Sequence, residues 1–419
     1  MNPSILFNVF LRDFRKQKKR MILTLVAILW GTMSIMLLLA FGEGLKRQFA
    51  VNERGLGEGI VIMWSGQTAK PYQGFGKGRR IWLRNDDIEY LRRRMPELET
   101  VAGEYSRWGA TIKYGTKVLN DRICGIYPEY RDMRNFIPAT GGRMIDKLDI
   151  DLKRRVAFLG DRSMARLFGE EMKPENVIGE RIYLNGTPFT VIGVMVHKLQ
   201  MSSYEGQDAD MVSIPATTFE TIFHDPYLDY ILYKPKTADN MAGVEKRVFE
   251  VMGTKYKFDP TDDRALRTWD LVEEKRTTDA VMFGIEVFLG VIGFLTLFIA
   301  GVGVANIMYV SIRERTREIG VKMAVGARRI YILMQFIVEA LGITFLGGLL
   351  GMGVAYVLTE LFKLAPMDSE ALMMLGRPTV SLEIGLVVTI ILGILGFLAG
   401  LFPALKAASI NPTEALRYE

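Results

Sequence analysis

Side chains equipped for covalent chemistry are sparse in this chain, and none falls into a catalytic spacing. Cys124 is the single cysteine, so no intrachain disulfide can form. His197 and His224 are the only histidines and lack metal-ligand spacing, which marks them as surface or loop residues. A phosphate-cradling G-x-x-x-x-G-K-[ST] is missing: Gly74-Phe75-Gly76-Lys77-Gly78 has the wrong spacing, and Ser65-Gly66-Gln67 lacks the surrounding context. H-E-x-x-H, C-x-x-C and G-x-S-x-G are equally missing. Gly301-x-Gly303 lies inside an apolar run, where helix packing accounts for it better than phosphate binding. The Asp and Glu residues are dispersed and show no paired signature. The chain is therefore expected not to be an enzyme, to hold no metal or cofactor of its own, and to rely on a partner for any ATP-driven work.

The elements explain where the polar residues sit. Hydrophobic residues make up 49% of the chain and charged residues 24%, a combination that calls for membrane and globular regions together. A bilayer core needs about 20 apolar residues in a helix. Four runs qualify: 21–41, 287–310, 340–358 in a helix beginning near Tyr331, and 384–405. The first is too long for a signal-peptide core, and Phe41-Gly42-Glu43-Gly44 is no cleavage site, so it reads as a retained anchor. The expected layout is a basic segment 1–20, transmembrane helices 21–41, 281–310, 331–360 and 383–405, an extracytoplasmic domain 42–280, a cytoplasmic segment 311–330, a short outer loop 361–382 and a tail 406–419.

Orientation follows from the cations. Arg12, Arg15, Lys16, Lys18, Lys19 and Arg20 precede the first run, and Arg313, Arg315, Arg317, Lys322, Arg328 and Arg329 separate the second from the third. Only Lys363 and Arg377 lie between the third and fourth. The positive-inside rule puts both termini and 311–330 in the cytoplasm and 42–280 outside. The net charge of +6 flanks apolar runs, which argues against nucleic acid as a partner and allows pairing with anionic membrane lipid.

Gly347 and Gly351 form one G-x-x-x-G, and Gly396 and Gly400 another. Small residues let helices approach closely in lipid, although the motif does not say which helices meet. Glu339 is a carboxylate well inside an apolar stretch. Such a residue faces protein or water, in transport or in a hydrogen bond that fixes packing.

The segment 42–280 reads as one or two α+β lobes. Strands are expected at 58–64, 155–159, 181–184, 189–196, 211–214 and 230–233, and helices at 86–95, 161–168 and 242–252. Asn85 or Asp86 caps the first of these helices and Pro96 stops it. Pro215 marks a further helix start, and 113–118 resembles a hairpin turn. Asn185-Gly186 is a strong type I′ hairpin signal. The stretches 45–52 and 271–281 extend the adjoining membrane helices, as a stalk or as tethers, and 271–281 lacks tether composition.

Arg313-Glu314-Arg315-Thr316-Arg317-Glu318-Ile319-Gly320-Val321-Lys322-Met323-Ala324-Val325-Gly326-Ala327 resembles the signature of MacB/FtsX-like (mechanotransmission, type VII) ABC transporter permeases. Phe41-Gly42-Glu43-Gly44, Gln335-Phe336-Ile337-Val338-Glu339-Ala340-Leu341, Gly347-Gly348, Pro403-Ala404 and the tail Asn411-Pro412-Thr413-Glu414-Ala415-Leu416-Arg417 add to the likeness. So do 157–168 and 179–194, which resemble the family's periplasmic core. The resemblance covers nearly the whole chain.

It implies an inner-membrane permease that pairs with a second permease, as homodimer or with a paralogue, and binds an ABC ATPase subunit. With only about 20 residues before the first span, that ATPase is expected to be a separate chain holding ATP and Mg. The resemblance assigns ATPase coupling to Arg317, Glu318, Ile319, Gly320, Met323, Ala324, Gly326 and Ala327. A short helix ending at Gly326 fits a groove on the ATPase. Ile319 and Met323, at i and i+4, share one face for that purpose, and Glu318 with the flanking arginines sets register. The implied function is ATP-driven movement of the outer domain for export or extraction, like macrolide efflux or lipoprotein release, with a periplasmic adaptor and an outer-membrane channel as further partners. The alternative is a signalling subunit that activates an envelope enzyme without transport.

Overall fold

The computed structural model describes residues 18–200, 202–237, 239–364 and 376–410. Arg12, Arg15 and Lys16 and the Asn411–Arg417 motif lie outside the described residues, as does half of the expected outer loop, 365–375. The chain forms two compact units, one of residues 50–279 and one of the remainder.

The second unit is a helical bundle. Among the described residues, four helices are long and apolar enough to cross a membrane: α1 (Lys18–Leu56), α8 (Leu271–Glu314), α10 (Arg329–Leu364) and α11 (Leu382–Ala408). Each contains one of the four expected apolar runs. α1 and α8 also run unbroken through 45–52 and 271–281, so neither stretch is a flexible tether. The glycines identify which helices meet. A Cβ on Gly347 would stand 2.9 Å from the Ile28 side chain, and one on Gly351 2.7 Å from the Leu29 carbonyl, so this motif seats α10 against α1. On α11, a Cβ on Gly396 would lie 2.9 Å from Thr344 Oγ1, and one on Gly400 2.7 Å from the Ala340 Cβ, so the second motif seats α11 against α10. Backbones approach this closely only where side chains are missing.

The other unit is a single α+β lobe, the smaller of the two numbers expected, built on an eleven-stranded mixed sheet among the described residues, with strand order β11-β1-β10-β2-β5-β9-β6-β8-β7-β3-β4. The strands are β1 (Val61–Ser65), β2 (Leu98–Arg107), β3 (Ile112–Tyr114), β4 (Lys117–Leu119), β5 (Arg122–Ile126), β6 (Val156–Leu159), β7 (Arg181–Leu184), β8 (Thr187–Val194), β9 (Met211–Pro215), β10 (Tyr230–Pro235) and β11 (Leu266–Asp270). β5 pairs in parallel with β9, and β6 with β8. Asn185 and Gly186 both take positive φ (46° and 83°), the backbone that a type I′ turn demands between β7 and β8.

Both faces of the sheet are buried. On one, Val61, Met63, Tyr105 and Ile123 pack with α2 (Asn85–Arg94), α6 (Ala216–Phe223) and α7 (Met241–Tyr256). On the other, Ile62, Ala102, Cys124 and Ile126 pack with Phe136 and with α3 (Tyr130–Met133). The cap of α2 is Arg84 rather than Asn85 or Asp86: its N–H donates to Asp87 Oδ2 at 2.7 Å, while the Asn85 amide turns to Tyr105 and Glu220.

Candidate functional site

Between α8 and α10 lies the short helix α9 (Thr316–Ala324). Its start is a corner. Arg315 leaves the α8 ladder with its N–H still on the Ser311 and Ile312 carbonyls, and its own carbonyl accepts the first α9 bond, from the Ile319 N–H at 3.0 Å. The Thr316 hydroxyl bonds back to Ile312 O and Arg313 O, which holds the bend. Its end is a Schellman turn: the Ala327 N–H reaches Lys322 O and the Gly326 N–H reaches Met323 O, each at 3.0 Å. Gly326 takes φ +98° there, where a side chain would be strained.

Ile319 and Met323 do share one face of α9, and that face points into the chain's own bundle. Ile319 is 3% exposed, Gly320 is buried, and Met323 packs against the same cluster as Ile332 and Phe336. An apolar pair four residues apart signals a buried stripe; it does not say whose core receives it. The pair is therefore the root of the helix, not its outer surface. Arg317, Glu318, Val321 and Ala324 are exposed, and Val325, which caps the helix, is 84% exposed. Arg317, Val321 and Ala324 follow i, i+4, i+7 spacing and so line one face. Lys322 pairs with Glu318 at 3.1 Å along the helix. Val321 and Val325, both exposed, are also spaced i, i+4.

Glu339 sits where α10 passes this corner. Its carboxylate lies 3.4 Å from Arg315 Nη1, with the two side chains 8% and 15% exposed. Lys322 Nζ reaches Gln335 Oε1 at 3.4 Å. Two polar contacts thus tie the α8–α9–α10 corner together, which favours the packing role for Glu339.

A second polar cluster is buried in the sheet unit. Asp208, fully buried, accepts from Arg134 Nη2 at 2.7 and 2.8 Å and pairs with Lys198 Nζ at 2.8 Å. Arg122 lies 3.4 Å from Glu104 and 3.7 Å from Asp208. The Tyr130 hydroxyl donates to Glu104 at 2.8 Å, and the Tyr204 hydroxyl bonds both Glu104 and Arg134. Burial alone would raise the Asp208 carboxyl, but Arg134, Lys198 and Arg122 hold it below the usual range. Burial pulls the Lys198 ammonium down to about 8 against the attraction of Asp208. The cluster pins Lys198, Tyr204 and Asp208 to β2 and β5. It is a fastening: Glu205, 3.5 Å from Arg122, is the third carboxylate beside Glu104 and Asp208 and balances the three cations Arg122, Arg134 and Lys198. Among the described residues, no group of His, Cys, Asp and Glu could hold a metal ion.

Comparison with known proteins places both units. Residues 21–250 match the MacB-like periplasmic core domain, and residues 290–412 match the FtsX-like permease C-terminal region. The "Macrolide export ATP-binding/permease protein MacB" of Chlorobium luteolum is 30% identical over 408 residues, covering 96% of this chain and 58% of that protein. Proteins of the same name from Bdellovibrio bacteriovorus and Neisseria meningitidis are each 28% identical, covering 96% and 99% of this chain. The chain spans 58–62% of the length of these relatives. The periplasmic region of MacB from Actinobacillus actinomycetemcomitans aligns at 20% identity and a TM-score of 0.42, covering 54% of this chain and 96% of that one. With both family descriptions matched in order along the sequence, the chain belongs to the MacB/FtsX-like family of ABC transporter permeases.

Proposed function

We propose that this chain is the permease subunit of an ABC exporter, driven by ATP hydrolysis on an ATPase subunit that docks on α9. The observation that carries the reading is the outward face of that helix. Arg317, Val321, Ala324 and Val325 form an apolar strip with a cationic edge, on a helix rooted by Ile319 and braced through Arg315–Glu339. A rooted helix with an open face passes on a push from its partner. The unbroken helices α1 and α8 then carry the displacement toward the 42–280 domain, which moves substrate of the kind that the macrolide-export relatives are named for. A second permease completes the unit, ATP and Mg reside on the ATPase, and a periplasmic adaptor and outer-membrane channel continue the route.

Two measurements test this. Purified alone, the chain is expected to hydrolyse no ATP above background, and hydrolysis is expected when an ABC ATPase of this family is co-reconstituted. Failure of every such ATPase to bind the full chain would end the proposal. Orientation is checked separately, in the inner membrane of whole cells. In a Cys124→Ser background, a membrane-impermeant thiol reagent is expected to label Glu171→Cys in intact cells and Ser409→Cys only after permeabilisation. The opposite order would reverse the topology.

A further inference from the structure

We infer that the cleft between the loop after β1 and the edge strand β11 is a binding site for a phosphate-bearing polyanion. The cleft has a volume of about 700 Å³ and lies wholly within the sheet unit. Lys77, Arg80, Arg264 and Arg267 line it together with Gln67 and Thr68, and no Asp or Glu does. Among the described residues, none of these four cations is paired with a carboxylate.

Three neighbouring charged groups, Arg79, Lys70 and Asp262, are engaged outside the cleft. The Arg79 guanidinium donates to the Tyr256 and Lys257 carbonyls at 2.6 and 2.8 Å. Lys70 Nζ is held by Thr261 O at 2.7 Å. Asp262, buried, takes the Ala69 and Lys70 N–H groups at 2.6 and 2.9 Å, and its other oxygen takes the Arg264 N–H. That carboxylate fixes the loop and leaves the Arg264 side chain unneutralised. The frame is rigid. Trp64 pairs with Arg267 and Ser65 with Leu266, and a Cβ on Gly66 would fall 2.1 Å from the Arg264 carbonyl, so the two segments are locked together at Gly66. The Arg80 guanidinium lies 4.3 Å from the Trp82 ring, which limits its swing.

Four like charges lining one concavity repel each other and focus a positive field. One carboxylate would neutralise a quarter of it. A di- or triphosphate group neutralises most of it, and the guanidinium fork matches phosphate oxygens in pairs. The volume lies within the ~300–1,000 Å³ typical of small-molecule sites, larger than a lone phosphate needs. The ligand is therefore a compact group carrying several phosphate charges, from a lipid headgroup or from a free polyphosphate. This inference does not depend on the transport reading.

The test is calorimetric titration of the full chain in neutral detergent at low salt, with sodium tripolyphosphate for the free source and geranyl diphosphate for the lipid source. Saturable binding of at least one probe is expected, weakening as salt rises. The double variant Arg264→Ala/Arg267→Ala should bind at least tenfold more weakly, and Arg181→Ala, on the far strand β7, within twofold of the parent. Should the double variant melt lower than the parent, Lys77→Ala/Arg80→Ala is read by the same tenfold criterion. The probe that binds tighter identifies the source. The inference is overturned if neither probe saturates, if Arg181→Ala weakens binding as much, or if a polyglutamate peptide binds the cleft more tightly than both probes.

Discussion

Val321→Asp combined with Val325→Asp is expected to abolish stable binding of the ATPase while the permease itself stays folded. Both valines are exposed in the free chain, at 46% and 84%, so charge there costs little before docking. On docking, each would lose roughly 1.5–3 kcal/mol of side-chain burial. Together that is on the order of a hundredfold or more in affinity. Ile319→Asp makes the contrast. Ile319 is 3% exposed and belongs to the bundle core, so a carboxylate there is buried without a partner and is expected to destabilise the corner by several kcal/mol. Co-purification with the ATPase, size-exclusion profile and thermal unfolding of each variant separate the two effects. If the valine pair binds the ATPase normally while Ile319→Asp folds normally and loses it, the docking face is the one bearing Ile319 and Met323 after all.

The second large effect is expected from Asp208→Ala. Removing this carboxylate leaves Arg134, Lys198 and Arg122 as buried positive charge around an empty position. Breaking a buried ion pair on one side costs about 3–5 kcal/mol. For a domain of this size, each kcal/mol lowers the melting temperature by about 2–4 °C. A fall of roughly 6–20 °C is thus expected for the sheet unit. Arg93→Ala, which removes an exposed i, i+4 pair with Glu89, should move it by a degree or two. The pH dependence has a defined sign. The folded Asp208 carboxyl is held low, so its stabilisation is present above the unfolded value of about 3.9 and is lost as acid titrates the folded group. The gap between parent and variant should therefore narrow toward low pH. A gap that stays constant down to acid unfolding would show that Asp208 does not act through its charge.

That same cluster explains what the sequence concealed. β2 and β5 sit at the centre of the sheet, yet neither was expected from the sequence. β2 carries Glu104 and β5 carries Arg122, both 1% exposed, at positions where a buried strand ordinarily shows apolar residues. Each charge is acceptable only because the other, and the 198–208 segment, is present, and that pairing is made across distant stretches of chain. β11 is short and on an edge, with Arg267 and Asp270 among its five residues, and so gave a weak signal. Local signals fared better. The four apolar runs, the Asn185-Gly186 turn and Pro215 before α6 each rest on neighbours in sequence. The candidate site falls between. The i, i+4 pair and the closing Gly326 were legible, but which side of α9 is rooted depends on Ile332 and Phe336, residues of the next helix.

The seating of α1 limits how that helix can move. Ile35 fills the space that a side chain on Gly293 would take, 2.5 Å from where its Cβ would stand, and Ile28 fills the corresponding space at Gly347. These two isoleucines are two helical turns apart on one side of α1, each lodged in a different neighbouring helix. Spinning α1 about its axis, or sliding it lengthwise, would require both to be withdrawn together. Further along the same helix, the Ala40 carbonyl accepts the Thr379 N–H at 3.0 Å, and a Cβ on Gly44 would fall 2.3 Å from the Arg377 carbonyl. From residue 28 to residue 44, therefore, α1 can shift only together with the chain segments that hold it.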